Sequence, residues 1–207
     1  MTIDFLLNRS GAVLILFTVL AAAAGLVSKS PMWRAAIGIA GVLCAFFIAI
    51  STRSLLEWTA SAVGRPSPPG LLLLVVLAIA TTTNRRVATS AEFRFGTLML
   101  AVAGLALYPA AVGFLDYDSY VLGYSGYLLP GAIAVVLAYA IYRGYFIIAL
   151  ALNAAIIVFL LGGRQSFNFW DYVVDPDAWI IATATWIAIA IKFLFWRFGT
   201  KKVLAPA

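Results

Sequence analysis

Residues 11–27 carry no charged side chain, and six further apolar runs follow along a chain of 207 residues. This pattern of apolar runs cut by short polar loops is the strongest constraint on the fold. A helix that crosses a bilayer needs about 20 mostly apolar residues, and lipid offers no partners for unpaired backbone groups. The chain is 64% hydrophobic and 11% charged, whereas a soluble domain carries about 45–50% apolar and about 25% charged residues. A soluble globule of this size has too little interior for so much apolar surface. That excludes a soluble enzyme, a disordered tail and a nucleic-acid reader. The expected fold class is all-α, a polytopic integral membrane helical bundle in which residues 1–207 form a single transmembrane domain.

Six spans are expected at about 11–27, 33–51, 95–115, 128–142, 145–161 and 178–196. Arg9, the apolar run and Ala21 to Ala24 resemble a signal peptide, but Asp4 sits where a leader should be basic, so the first run reads as a retained span. Trp33 and Arg34 suit an interface. Gly38, Ala40, Gly41 and Ala45 give the second span a small-residue face for close packing. Residues 54–63 read as an interfacial helix, with Leu55, Leu56, Trp58 and Val63 toward lipid and Arg53 and Glu57 toward water. Pro109 is expected to kink the fourth span. Run 71–83 is short, about 20 Å against a core of about 30 Å, unless Pro68 and Pro69 form its first turn. The run is expected to cross with those prolines as its first turn, because thirteen uncharged residues are costly to leave near water, and the bundle then has seven transmembrane helices. If it is re-entrant, there are six plus a re-entrant segment.

Basic residues in short loops favour the cytoplasm. With seven spans and a cytoplasmic C-terminus, ten of the 14 Lys and Arg lie inside, leaving Arg9, Arg53, Arg65 and Arg164 outside. With six spans, eleven lie inside. Both arrangements place the tail with Lys201 and Lys202 in the cytoplasm, and loops 116–127 and 164–177 outside. The expected location is a cytoplasmic (inner) membrane, multi-pass.

Those two loops hold five of the eight acidic residues, Asp116, Asp118, Asp171, Asp175 and Asp177. They are interleaved with rings that include Tyr120, Trp170 and Tyr172. Loops that flank one helical hairpin can meet on one face. Asp116, Asp118, Tyr120, Trp170, Asp171, Tyr172, Asp175 and Asp177 are therefore the candidate partner- or ligand-binding residues, with Trp170 and Tyr172 as anchors. Clustered carboxylates can also hold a hard cation, so whether a metal binds is left open. The bland alternative is that the rings sit at the headgroup level. The Asp116-x-Asp118 and Asp175-x-Asp177 pairs resemble the metal-binding pairs of glycosyltransferases, but Asp175–Pro176 reads equally as a helix start.

There is no histidine and one cysteine, which excludes imidazole-based triads, His-ligated haem and an intrachain disulfide. Lys192 lies near the cytoplasmic end of the last span with no acidic counter-ion in an earlier span, which argues against a retinal protein. Thr18, Thr97, Asn153, Thr183 and Thr185 are the buried polar candidates, with Asn153 expected to bond between helices. Cys44 is expected to be a packing residue.

No cofactor is expected. The first functional reading is a non-catalytic subunit that docks to a larger membrane complex, or to a second copy of itself, through helix faces and the two outer loops. Alternatives are a transporter or channel for a neutral or lipid-like solute, and an enzyme on a lipid-linked substrate that uses the outer Asp residues. The bilayer is the one certain partner, and nucleic acid is not expected.

Overall fold

A computed structural model describes residues 3–85, 87–124, 127–162 and 166–199. Arg86, Arg164, Lys201 and Lys202, used above in counting loop charge, lie outside the described residues.

The chain is all-α apart from one small hairpin. Helix α1 (Ile3–Val27) and α2 (Pro31–Phe47) lead into paired strands β1 (Ala49–Ile50) and β2 (Arg53–Ser54). There follow α3 (Leu55–Val63), α4 (Pro68–Thr83), α5 (Ser90–Ala111), a 3-10 turn (Ser119–Gly123), α6 (Leu128–Tyr142), α7 (Phe146–Leu160), α8 (Trp170–Val173) and α9 (Pro176–Gly199). Three helical stretches are long and apolar enough to cross a membrane: Arg9–Val27, Ser90–Ala111 and Pro176–Arg197. Four more, α2, α4, α6 and α7, are equally apolar but shorter. This is a membrane protein.

Local signals set the helix ends. Ser54 caps α3 in a capping box with Glu57: its hydroxyl accepts from the Glu57 N–H, and the Glu57 carboxylate accepts from the Ser54 N–H. Pro68 and Pro69 form the first turn of α4, as the sequence predicts, behind the N-cap Ser67. Thr89 caps α5 five residues earlier than the apolar run suggests. Pro109 lies in the last turn of α5 and not at its middle. The expected second span ends at Phe47, and the β-hairpin occupies what was expected to be its last turn.

Consecutive apolar helices run in alternating directions. Gly11 at the start of α1 lies against Pro66 and Val63, and Gly25 near its end lies against Arg34. On α2, Gly38 meets Phe17, and Ala45 joins Ala12 and Leu56 in a buried cluster. Gly38, Gly41 and Ala45 thus face α1 as expected, whereas Ala40 is exposed, being off the stripe of positions three and four apart. Cys44 is also exposed, so it is not the packing residue its small size suggested.

Helix α4 ties the two halves together, packing against α1 on one side and α7 and α8 on the other. Both of its ends are pinned by buried charge. At its N-terminus the Ser67 N–H and hydroxyl donate to the two Asp175 oxygens, at 2.7 and 2.6 Å, and the Gly70 N–H donates to the Ser67 hydroxyl. Gly70 is required here, because a Cβ would overlap the Asp175 carboxylate. At the C-terminus of α4, Arg34 donates to the Thr81 carbonyl at 3.1 Å and to the Asn84 side chain. The same guanidinium donates to the Ser28 carbonyl just past α1, at 2.9 Å. Arg34 was expected at an interface. It is buried instead, because three acceptors at two helix C-termini compensate its desolvation.

Removing one partner of a buried charged hydrogen bond leaves the other unsatisfied. Asp175→Ala is expected to lower the free energy of reversible unfolding in mixed micelles by about 2–3 kcal/mol. Ser67→Ala, with no charge left stranded by loss of a backbone donor, should cost less. Equal stability of Asp175→Ala and the wild type would contradict the clasp.

Candidate functional site

The two acidic aromatic loops meet, as the sequence predicts. The Phe169 N–H donates to the Gly123 carbonyl at 2.8 Å, the Asn168 amide to the Tyr120 carbonyl at 2.9 Å, and the Trp170 indole to the Ser119 carbonyl at 3.0 Å. The Tyr120 hydroxyl donates to the Asp171 carboxylate, which also accepts from the Ser166 hydroxyl. The loops therefore form one cap over one end of the bundle.

The direction of the side chains differs from the expectation. Tyr172 is 0% and Trp170 6% exposed, and Asp175 is 7% exposed. Trp170, Tyr172, Val173 and Val174 belong to the main core with Leu107, Leu129, Ile133 and Leu152. A partner's anchors must be exposed on the free chain, so Trp170 and Tyr172 are plugs of this chain's own core. Asp175 clasps Ser67. Asp171 sits half-buried under Tyr120 and Ser166. Asp118 caps the 3-10 turn by accepting the Tyr120 N–H, Asp116 is exposed, and Asp177 lies in the first turn of α9. The carboxylates are thus distributed among separate structural tasks. Among the described residues, no group of three or more His, Cys, Asp or Glu could hold a metal ion. The exposed face of the cap is aromatic: Tyr117, Tyr124, Tyr127 and Phe167.

Burial and the Asp171 carboxylate both push the Tyr120 phenol above its usual range, burial contributing most. The folded state favours the neutral phenol. That contribution is complete below the unfolded value of about 10 and is lost as pH rises through the higher folded value.

Below the cap lies a cavity of about 380 Å³ between α4, α5, α6 and α7. Its walls include Leu72, Val76, Leu100, Ala103, Ala132, Ile133, Ala151 and Leu152, and Trp170, Val173 and Val174 line its end beneath the cap. Glu92 and Thr97 are its polar lining groups at the opposite end. Both are engaged. The Glu92 carboxylate accepts the N–H groups of Ile147 and Ile148, at 2.6 and 3.3 Å, capping α7 from a neighbouring helix. The Thr97 hydroxyl bonds the Phe93 carbonyl and accepts from the Trp186 indole at 3.2 Å.

The sequence starts the fourth span at about 95, which left Glu92 outside it, and the cavity was missed. The Thr89-x-x-Glu92 pattern is a helix-start signal, and it would have moved Glu92 into the bundle. Among the expected buried polar residues, Thr97 makes the interhelical bond. Asn153 and Thr185 bond carbonyls of their own helices, Ala149 and Ile181, and Asn153 is exposed. Thr18, Thr183 and the Trp179 indole have buried polar atoms with no partner. Lys192 is exposed, as snorkelling requires.

Compared with protein-family models, curated proteins and solved structures, the chain matches none.

Trp170→Ala removes a buried ring and is expected to cost about 3–5 kcal/mol of stability. Unfolding in micelles measures this, and a loss of association without loss of stability would restore the anchor role. Tyr120→Phe should flatten the decline of stability with pH above about 10. An unchanged alkaline limb would show that the phenol is not held neutral by the fold.

Proposed function

We propose that this chain is a non-catalytic, seven-span protein of the cytoplasmic membrane that holds an apolar, lipid-like molecule in the cavity between α4, α5, α6 and α7. The observation that carries the reading is the chemistry of the cavity wall. Its volume is that of a small-molecule site, about 300–1,000 Å³ for known pockets, and its two polar groups are committed to the protein's own helices. A polar solute or ion would enter with nothing to replace its water. An apolar cavity excludes water and accepts apolar guests. This favours the neutral or lipid-like solute among the three classes considered, and the dispersed Asp residues leave the enzyme reading without a constellation.

Seven crossings are supported by the alternating directions of α1, α2, α4, α5, α6, α7 and α9. The shorter helices extend about 22–26 Å, a mismatch that local thinning accommodates at modest cost. The basic end of α9, with Lys192 and Arg197, is assigned to the cytoplasm. A second reading, docking to a membrane partner or a second copy, is favoured by the exposed rim of Tyr117, Tyr124, Tyr127 and Phe167.

Native mass spectrometry of protein released from mild detergent tests the cavity. The wild type is expected to retain an apolar molecule, and Ala103→Phe and Ala151→Phe to lose it while unfolding at the wild-type midpoint. Retention by both filled variants would refute the site. For topology, single cysteines at Ala62 and Val87, which flank α4, in a Cys44→Ala background should label from opposite sides of sealed vesicles. Labelling from the same side would refute seven crossings.

A further inference from the structure

A second pocket, of about 630 Å³, opens where α1, β2 and α3 meet, at the end of the bundle that carries the Asp175 clasp. Arg9, Arg53 and Arg65 line it together with Glu57, Ser61 and Gly64. Glu57 accepts from Arg9 at 2.6 Å. The Ser54 N–H does most to hold the Glu57 carboxyl below its usual range, and Arg9 adds to it. In the seven-span orientation, four basic residues were expected outside against the positive-inside preference, and three of them converge here. The floor beside the pocket is interfacial: α3 lies across the bundle end with Trp58 and Ile50 exposed, and the Trp58 indole donates to the Ile50 carbonyl.

We propose that this pocket binds the phosphate of an anionic phospholipid headgroup in the outer leaflet. Guanidinium groups match phosphate oxygens with forked, charge-assisted bonds. The exposed rings and aliphatic side chains at its edge take the glycerol and acyl region. Glu57 competes with the phosphate for Arg9. The site is separate from the apolar cavity, so each can fail without the other.

The test is lipid retention by the full chain in nanodiscs of phosphatidylcholine with or without phosphatidylglycerol, read by native mass spectrometry. The wild type should retain phosphatidylglycerol preferentially. Arg53→Gln and Arg65→Gln should each weaken retention about fivefold. Glu57→Gln keeps a capping side chain at that position of α3, removes the competing charge and should strengthen retention, which guards against reading a misfolded arginine variant as loss of a site. Equal retention of the two lipids, or indifference to Arg53→Gln and Glu57→Gln, overturns the proposal. Inorganic phosphate that displaces the lipid completely at low concentration also overturns it, by assigning the pocket to a soluble phosphate.

Discussion

Every buried charge found among the described residues sits at a helix terminus, and its sign opposes the dipole there. Arg34 faces the carbonyl ends of α1 and α4. Glu92 faces the amide end of α7, and Asp175 the amide end of α4. Helix ends leave unpaired amides and carbonyls that are costly in apolar surroundings. Elsewhere side chains of the same helix supply the caps. Here residues from other helices do, so satisfying a helix end also fixes one helix against another. Apart from the Arg34 bond to Ser28, six residues away, the clasps join positions 47 to 108 residues apart. A chain whose helices are greasy on every side has little other directional information with which to choose its neighbours, since lipid competes evenly for apolar faces.

From this constraint the cavity follows. The Asp175 clasp and the Trp170 plug fix α4 and α8 at one end, and Glu92 fixes α5 against α7 at the other. Between these two polar layers the walls of α4, α5, α6 and α7 are small and aliphatic and leave space. Of the carboxylates that looked like a binding cluster in sequence, Asp175 alone fastens the edge of this space, and the second fastener, Glu92, lay outside that cluster.

The helices themselves were largely legible. The α6 hairpin arm was read at 128–142, and it forms there; Pro68 and Pro69 start α4; the two acidic aromatic loops meet. What could not be read was the direction of side chains. Helices α6 and α7 are apolar around their whole circumference, so no periodicity distinguishes the face toward lipid from the face toward protein. Trp170 and Tyr172 therefore looked like interface rings, although they plug the core. Arg34 and Glu92 lie at helix starts, where a charge ordinarily reaches water, and only the partner helix that supplies the compensating groups reveals their burial. The 49–54 hairpin was hidden because Ala49 and Ile50 continue the apolar run of α2 without a break.

Amide hydrogen exchange tests the terminus-clasp account most directly. In the wild type, the N–H groups of Ser67, Ile147 and Ile148 should exchange slowly. Asp175→Ala should release Ser67 alone, and Glu92→Ala should release Ile147 and Ile148 alone, with the middle of α4 and α7 still protected. If those amides already exchange freely in the wild type, or if neither substitution changes them, the buried charges are not what holds these helix ends, and the account of the bundle fails.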